Sequence, residues 1–393
     1  MKNICVITGI GVVLPNTRSS DKLWTDCLGQ DEGGATGDGK ACRTFVSEEL
    51  FEGCISPRLS KKLDAFTRYA LAATHFAIED AKLALNDADK ERCGVFVGNC
   101  FGGWRFTETE LRNLHCDGPR SVSPFQATSW FPAAPQGQIS IHYGLKGYSK
   151  TFMADRASSL LSISAGAQQV KQGNLDIAIG GGTESTNTDF VKAALRRLKR
   201  HRDDDDDNFS PFAPGRDGFA ASEGAVFFVM ESETHARARG AKIYCSVEDF
   251  VIRNAPCDAD AYGADPIPFI RSMKGVCNGA APDLALPDAC GFSDCDKAEA
   301  DAISEVFEDV KITFPKARLK HLFGAEGALD VALSSLMLER QQILPTIVEE
   351  VGPPLKPSQV VRELVDARLE RILINARASG GAVGSLVVSR MEA

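Results

Sequence analysis

The chain has 393 residues, 44% of them hydrophobic and 25% charged, with a formal net charge of −9. Its length is ample for one large core or two smaller ones, and its acidic balance argues against a nucleic-acid partner, because phosphate binding needs a basic surface. No apolar run reaches the roughly 20 residues that span a bilayer, and nothing at the N-terminus resembles a signal peptide, so we expect a cytoplasmic protein without membrane contact.

Short apolar strands alternate with helical patterns throughout the chain. In chain order we predict strands at 4–9, 94–98, 176–180, 225–230, 284–286, 372–374 and 386–388, and helices at 63–85, 158–172, 297–307 and 329–342. Such alternation predicts an α/β fold with a largely parallel sheet. Two segments lack periodicity, and there we predict an exposed loop at 203–214 and a loop-rich connection at 254–281.

The glycines after the first strand, Gly9 and Gly11, invite a dinucleotide-binding interpretation. That motif fails, because no third glycine follows and Pro15 stands where a helix should begin. The chain also lacks a P-loop and a GxSxG nucleophile elbow. We therefore expect no cofactor.

Twelve cysteines are scattered along the chain and form no CxxC pair. Disulfides are one interpretation, but reduced and mostly buried thiols fit better in a long chain without an export signal. No Cys/His cluster has the spacing of zinc ligands, so we expect no metal.

A basic run from Lys192 to Arg202 leads directly into the aspartates 203–207. The simpler interpretation is a solvated helix end followed by a charged loop, because charge runs usually face solvent. The alternative is a docking patch for an acidic partner protein, which the adjoining aspartates weaken.

A predicted strand-to-helix corner lies at residues 153–160. At such corners α/β enzymes often place a nucleophile, because a helix N-terminus lowers the pKa of a thiol and stabilises anions. This corner offers Arg156, which stays protonated and cannot attack a carbonyl. We expect a buried ion pair instead, for example with Asp155 or with an acid across an interface.

Segment 316–327 contains glycines and one of the chain's six histidines, His321. A lone histidine is more often structural than catalytic, although the neighbouring glycines would let a ligand approach. Cysteine and histidine can form a nucleophilic pair, but nothing in the sequence places a cysteine beside His321.

Several segments together resemble the β-ketoacyl synthases of the thiolase superfamily. The resemblance covers nearly the whole chain in the family's order and is carried by segments 6–12, 137–147, 177–184, 212–219 with 223–225, 296–299, and 380–381 with 386–388. It implies an α/β, thiolase-like fold of five layers, α-β-α-β-α, built from two similar halves, 1–245 and 246–393. Active members use a cysteine nucleophile and two histidines for decarboxylative condensation of carrier-bound acyl groups.

Carried over by position, the family's active site is degenerate in this chain. Arg156 stands at the nucleophile position and Asp288 at the first histidine, while Lys316 and His321 match the family's lysine and second histidine. Lys320 replaces a glycine, and the C-terminal GFGG segment becomes 378–381, Ala-Ser-Gly-Gly, which loses an aromatic gate. Five departures at one site imply that this chain has no catalytic residue of its own.

This pattern is similar to the chain-length factors of type II polyketide synthases, which pair with a catalytic ketosynthase and shape the tunnel for the growing chain. Their Asp-Gly-Ala-Gly-like segment corresponds to 288–291, and Arg156 replaces their usual glutamine. Their tunnel stripe corresponds to Trp104, Thr107 and Leu111, which share one helical face; plain core packing is the alternative.

The resemblance implies a heterodimer with a catalytic ketosynthase, an acyl carrier protein as second partner, and an isolated chain that is inactive. Two other hypotheses remain open. The chain could act alone as a decarboxylase or hydrolase through His321, or it could serve only as a scaffold that stabilises its partner.

Overall fold

A computed structural model of the chain describes residues 3–29, 45–197, 210–213, 218, 220–348, 350–352, 355–356 and 358–392. Most of the predicted loop 203–214 lies outside these residues, as do the basic run beyond residue 197 and residues 214–217 and 219 of the family-like segment. Within the described parts of the chain, no helix is both long and apolar enough to cross a membrane.

The strands are β1 Cys5–Val13, β2 Cys93–Gly98, β3 Lys150–Phe152, β4 Ile177–Glu184, β5 Gly224–Ser232, β6 Cys245–Asn254, β7 Leu284–Leu286, β8 Lys311–Ile312, β9 Gln342–Ile343, β10 Val365–Asp366, β11 Arg371–Arg377 and β12 Ala382–Ser389. The α-helices are α1 Ser20–Leu28, α2 Pro57–Ser60, α3 Ala65–Asp80, α4 Asp87–Glu91, α5 Trp104–Asp117, α6 Gln126–Ser129, α7 Ala134–Tyr143, α8 Ser158–Lys171, α9 Asp189–Arg197, α10 Glu233–Ala238, α11 Ile267–Cys277, α12 Ser293–Val306 and α13 Glu326–Arg340. The predicted α/β class is confirmed.

Ten of the described strands form one sheet in the order β3-β2-β4-β5-β1-β6-β12-β11-β7-β8. Followed outward from the centre of the sheet, β1-β5-β4-β2-β3 and β6-β12-β11-β7-β8 have the same order and the same directions, so the sheet consists of two similar halves. The halves join at their first strands through a short pairing of β1 with β6. From this repeat we propose that the chain divides near residues 245 and 246.

The helices lie in three layers around the two halves of the sheet. Helices α3 and α7 cover the outer face of the first half, and α11 and α12 cover the outer face of the second. Helices α8 and α13 contact strands of both halves and each other, which places them between the halves. The five-layered arrangement expected from the resemblance is therefore present.

Alternation along β5 shows how the sheet separates two cores. Val226, Phe228 and Met230 belong to the central core with α8 and α13, whereas Phe227 and Val229 belong to the outer core with α3. A strand buried on both faces is expected to be apolar throughout, and β5 is fully buried.

The first glycine pair has a packing role rather than a turn role. Strand β1 runs through Gly9 and Gly11 to Val13, and helix α3 crosses directly over them. A Cβ on Gly11 would lie 1.8 Å from the carbonyl oxygen of Ala73. Glycine is therefore required for α3 to approach the sheet this closely.

Two expectations about the fold were wrong. The sheet is mixed rather than largely parallel, because β5, β1, β6 and β12 are antiparallel to their neighbours. The segment 254–281 contains a helix, α11, which begins after Pro266 and ends at Asn278 in the left-handed conformation. Its buried residues Phe269, Met273 and Val276 recur at helical spacing, a signal that the flanking Pro, Gly and Asp residues concealed.

Candidate functional site

The candidate site lies where the N-termini of the two central helices meet. Ser159, in the first turn of α8, accepts a hydrogen bond through its Oγ from the amide of Ala328 in α13, at 2.9 Å. Both helices thus direct the positive end of their dipole toward the same region. Several buried carboxylates lie there, and a helix N-terminus stabilises negative charge.

Arg156 stands at the corner between β3 and α8 and is completely buried. Its Nη2 lies 3.2 Å from Oδ2 of Asp288, and its guanidinium carbon lies 4.1 Å from the ring centroid of Tyr262. Burial alone would lower the pKa of Arg156, but Asp288 and the other acidic groups around it together outweigh burial, and the pKa is raised well above its ordinary value. The predicted buried ion pair is present as a permanent positive charge.

The carboxylate that pairs with Arg156 is Asp288 and not Asp155, which the sequence analysis gave as an example. Asp155 precedes Arg156 in the left-handed conformation, with φ 48°, and its carboxylate accepts a hydrogen bond from the Ser379 amide at 2.9 Å. Adjacent residues at such a corner point in different directions, so Asp155 connects the corner to the C-terminal segment while Arg156 pairs with Asp288.

Asp288 is held rigidly on the opposite side of the site, just after β7. Its Oδ1 accepts a hydrogen bond from the Arg377 amide at 3.0 Å, and its own amide donates to Glu299 Oε1 at 2.9 Å. Glu299 in turn accepts from Asn375 Nδ2 at 2.9 Å. These bonds fix the Asp288 carboxylate where Arg156 meets it.

Lys316 and His321 lie in the same site, in the segment that leads into α13. Lys316 Nζ lies 2.6 Å from Asp330 Oδ2 and 3.7 Å from Glu326 Oε1. Burial would lower the pKa of Lys316, but these carboxylates raise it. Burial also raises the pKa of both carboxyls, and Lys316 opposes that rise.

His321 is neutral and has a defined tautomer. Its Nδ1 accepts a hydrogen bond from the Phe323 amide at 2.9 Å, so the ring proton is on Nε2. Burial, followed by the charges of Arg156 and Lys316, lowers the pKa of His321 well below its ordinary value. The structure therefore brings together all four residues selected from the sequence, Arg156, Asp288, Lys316 and His321.

Glu184, at the end of β4, connects three segments around the site. Its fully buried carboxylate accepts hydrogen bonds from the amides of Cys100, Phe101 and Gly324. Burial raises its pKa to about 8, despite the three amides that favour the charged form. The sequence presented Glu184 only as part of a strand segment, without a role.

The predicted tunnel stripe lies on α5, partly at the surface. Trp104 stacks on Phe190 with ring centroids 3.9 Å apart and packs against the outer core of the second half. Thr107 accepts a hydrogen bond from Gln126 Nε2 at 3.1 Å. Leu111 is 41% exposed, so core packing does not account for all three residues.

Other residues of the site were missed by sequence reasoning. Tyr262 lay in a segment predicted to be irregular, and Arg377 lay three residues beyond the predicted strand 372–374. The sequence did contain a sign of Asp330's role. Asp330 is an acid within an apolar stretch of α13, and this helix is buried apart from its last two residues. A buried acid needs a buried partner. Among the described residues, no group of three or more His, Cys, Asp or Glu side chains could hold a metal ion.

Comparison with protein families gives two matches that cover most of the chain. Residues 2–236 match the β-ketoacyl synthase N-terminal domain, and residues 286–349 match the C-terminal domain. The chain belongs to the β-ketoacyl synthase family. The resemblance drawn from the sequence is thereby confirmed at the level of the family.

Relatives of this ketosynthase-family chain carry two kinds of name. It is 30% identical over 411 residues, 99% of this chain and 98% of the relative, to 3-oxoacyl-[acyl-carrier-protein] synthase 2 of Staphylococcus aureus strain N315. It is 29% identical over 403 residues, 98% of both chains, to the tetracenomycin polyketide synthase ketoacyl synthase beta subunit of Streptomyces glaucescens. Overall identity therefore does not distinguish an active synthase from a beta subunit.

Solved structures support the same fold for this ketosynthase-family chain. The ishigamide ketosynthase/chain length factor aligns over 100% of both chains with a TM-score of 0.86 at 23% identity. A type II polyketide synthase acyl-carrier protein in complex with its ketosynthase aligns over 100% of both chains with a TM-score of 0.76 at 26% identity. The first of these likenesses shows the fold alone.

The arrangement of charges limits the chemistry that the site can perform. Arg156 fills the corner with a guanidinium that cannot act as a nucleophile. The Cys100 thiol lies 3.6 Å from Asp155, but burial and the nearby carboxylates raise its pKa well above the ordinary value and keep it protonated. A protonated thiol is a poor nucleophile.

Proposed function

We propose that this chain is a non-catalytic subunit of a type II polyketide synthase, of the chain-length-factor kind. It would pair with a catalytic ketosynthase whose cysteine elongates chains carried on an acyl carrier protein by decarboxylative Claisen condensation. The observation that carries the proposal is the Arg156–Asp288 ion pair, 3.2 Å long and fully buried, at the corner before α8.

The chemistry of condensation explains why this observation matters. The acyl group must be transferred to a nucleophile and the enolate oxygen must be stabilised, which requires a thiolate and donors aimed at the developing charge. Arg156 supplies a cation but no lone pair to attack. Asp288 supplies a negative charge where stabilisation of an oxyanion requires hydrogen-bond donors. The isolated chain is therefore expected to be inactive.

One edge of the sheet supports the proposed pairing. Strand β3 ends the sheet order, so one of its sides has no neighbouring strand among the described residues. Large exposed apolar side chains are concentrated between residues 111 and 153, among them Trp130, Phe131, Ile141, Tyr148 and Met153. An unpaired strand edge flanked by exposed apolar side chains, here Tyr148 and Met153, is the kind of surface that a partner chain covers.

The position of α5 supports a role for Trp104, Thr107 and Leu111 in shaping the tunnel. Leu111 and Leu114 are exposed in this chain, in the same sequence region as the other exposed apolar side chains, while Trp104 packs against the core of the second half. A helix whose first residue packs against the core and whose later turns are exposed is suited to closing a tunnel that crosses an interface. Product length should then depend on side-chain size along this face.

Co-purification with a catalytic ketosynthase and an acyl carrier protein, followed by product analysis, tests the proposal. Trp104→Ala and Leu111→Ala should each change the distribution of product lengths, because each removes part of the wall. Leu364→Ala is the matched control, since Leu364 is also 41% exposed but lies remote in sequence. Unchanged product length in both α5 variants would contradict the tunnel assignment.

The same preparation distinguishes the two other hypotheses. A decarboxylase or hydrolase that acts alone should convert a malonyl or acyl carrier protein without any partner and lose this activity in His321→Ala. A pure scaffold should leave the products of the partner unchanged in length and rate when this chain is omitted. Products that depend on this chain and on its α5 residues support the proposed function over both.

A further inference from the structure

A half-exposed segment lies over the buried Arg156. Residues 255–266, the cover, form no helix or strand, and each of them is partly or fully exposed. In the middle of the cover, the centroid of the Tyr262 ring lies 4.1 Å from the guanidinium carbon of Arg156. Arg156 itself is completely buried. Tyr262 therefore separates the guanidinium from solvent on this side of the site.

Two backbone hydrogen bonds fasten the cover to the turn before β12. The Gly380 amide donates to the Ala261 carbonyl at 2.9 Å. The Ala255 amide donates to the Gly381 carbonyl at 3.1 Å. A Cβ on Gly381 would lie 1.8 Å from the Ala255 carbonyl oxygen, so the two backbones approach each other as closely as glycine allows. The cover is thereby held in direct contact with this turn.

The inner side of the cover rests on the start of α12. The Tyr262 carbonyl oxygen accepts a hydrogen bond from Cys295 Sγ at 3.4 Å, and the centroid of the Tyr262 ring lies 5.6 Å from that of Phe292. The Arg377 guanidinium donates to the carbonyl of Gly263. Cys295 is 5% exposed, so movement of the cover would uncover its thiol.

The contact with Arg156 differs in kind from the other contacts of the cover. Backbone hydrogen bonds of a half-exposed segment can be replaced by bonds to water, so they oppose opening only weakly. A guanidinium is weakly hydrated and stacks readily on aromatic faces, and such a cation–π contact is strongest where water is excluded. Asp288 lies 3.2 Å from Arg156 Nη2 and balances its charge, which leaves the face of the guanidinium for the Tyr262 ring.

We propose that Tyr262 and Arg156 form a latch that holds the cover closed and keeps solutes away from the buried charges of the site. Arg156 then has two roles, because its edge pairs with Asp288 and its face anchors the cover. The latch belongs to the isolated chain and is present whether or not a ketosynthase binds. In the proposed heterodimer, it would leave carrier-bound thioesters to the site of the partner.

Alkylation of Cys295 by iodoacetamide in the native full-length chain, followed by mass spectrometry, tests the latch. Tyr262→Leu keeps an apolar side chain but removes the aromatic face, and it should speed alkylation at least about tenfold, the factor that a desolvated cation–π contact represents. Tyr262→Phe keeps the ring and should react at the rate of the wild-type chain. Cys5 and Cys245 are completely buried elsewhere in the chain and should stay unreactive throughout.

Hydrogen exchange gives a second readout that does not depend on thiol chemistry. The amides of Ala255 and Gly380 bridge the cover and the turn before β12, and both should exchange at least about tenfold faster in Tyr262→Leu than in Tyr262→Phe. The amides of β5, which is fully buried, should exchange equally slowly in the two variants. Both measurements use the chain without a partner, so their outcome is independent of the proposed pairing with a ketosynthase.

A variant on the other side of the contact checks that Tyr262 acts through Arg156. Arg156→Met with Asp288→Asn removes the cation together with its carboxylate partner and should open the cover to the same extent as Tyr262→Leu. Adding Tyr262→Leu to this double variant should have no further effect, because two residues that act through one contact are not additive.

Three results would overturn the proposal. In the first, Tyr262→Leu and Tyr262→Phe protect Cys295 equally well, so the aromatic face holds nothing closed. In the second, Cys5 and Cys245 become reactive together with Cys295, so the whole fold opens rather than the cover. In the third, Tyr262→Leu keeps its full effect in the chain that lacks Arg156, so the ring acts through another contact.

Discussion

At the scale of single residues, the integrity of the site depends on Arg156 keeping its carboxylate partner. Arg156→Met leaves Asp288 buried without a cation. Breaking a buried ion pair in this way typically costs about 3–5 kcal/mol. We expect a loss of this size in the free energy of unfolding, measured by urea denaturation.

Two controls separate the loss of pairing from the loss of packing. The double variant Arg156→Met with Asp288→Asn removes both charges and should recover most of the lost stability, because no unpaired charge is then left buried. Arg92→Met removes the exposed pair with Asp176 and should cost at most about 1 kcal/mol. A single Arg156 variant as stable as the wild type would show that Asp288 does not need its partner.

The raised pKa of Glu184 predicts a particular pH dependence of stability. The folded carboxyl holds its proton up to about pH 8, whereas the ordinary carboxyl loses it near 4.5. Between these values the folded state binds more protons than the unfolded state, so stability falls as pH rises, by up to about 1.4 kcal/mol per pH unit. Glu184→Gln should remove this loss, which urea titrations from pH 5 to pH 8 would measure.

Glu231 provides the control with the opposite sign. Its pKa is lowered, since hydrogen bonds from Arg239 and Thr8 outweigh the effect of burial. Its contribution to stability is therefore present above its ordinary pKa and decreases as pH falls through the lowered folded value. Glu231→Gln should flatten the acid side of the stability curve and leave the slope between pH 5 and pH 8 unchanged. The same effect from both substitutions would contradict the assignment to Glu184.

At the scale of elements, the contact between α3 and β1 depends on glycine. Gly11→Ala places a methyl group 1.8 Å from the Ala73 carbonyl oxygen, and the helix must move away. Forced shifts of this kind cost about 1–3 kcal/mol. Gly137→Ala in α7 meets nothing within 4 Å and should instead stabilise the chain by about 0.5–1 kcal/mol. Thermal unfolding of the two variants should therefore shift in opposite directions.

The elements that sequence could predict are those with strong local signals. The strand at 284–286 and the start of α8 at Ser158 were placed correctly, because apolar runs and helical spacing are local properties. Strand β3 was implied by the predicted corner at 153–160 but was given no bounds, since Lys150–Phe152 has three residues and pairs on one side only. The four site residues followed from family position, but the pairing of Arg156 with Asp288 depends on how two distant segments meet. No local pattern contains that information.

At the scale of the whole molecule, the repeated strand order explains where the site lies. In each half, the third strand leads toward one central helix, β3 toward α8 and β8 toward α13. The corner with Arg156 and the segment with Lys316 and His321 thus occupy corresponding places in the two halves. Because the halves pack with these helix ends together, residues from both complete a single site. A change in the packing of the halves is therefore expected to affect all four residues at once.

The proposed heterodimer makes a prediction about the edge of the sheet. Tyr148 and Met153 flank β3, and each is 55% exposed. Tyr148→Asp with Met153→Asp places two charges where the partner ketosynthase would bury apolar surface. Loss of central apolar anchors commonly costs about 2 kcal/mol or more, roughly a factor of 30 or more in affinity. Size-exclusion chromatography with light scattering should show loss of the complex at unchanged thermal stability of this chain.

A matched double variant shows whether loss of the complex is due to charge at the β3 edge itself. Ile347→Asp with Leu364→Asp also introduces two charges at half-exposed apolar positions, each 41% exposed, in the C-terminal part of the chain. If pairing uses the β3 edge, this variant should still co-elute with the ketosynthase. If both double variants assemble equally well, the partner binds elsewhere and the β3 edge has another role. If both fail, added charge alone disrupts the complex, and the β3 edge has no special part in it.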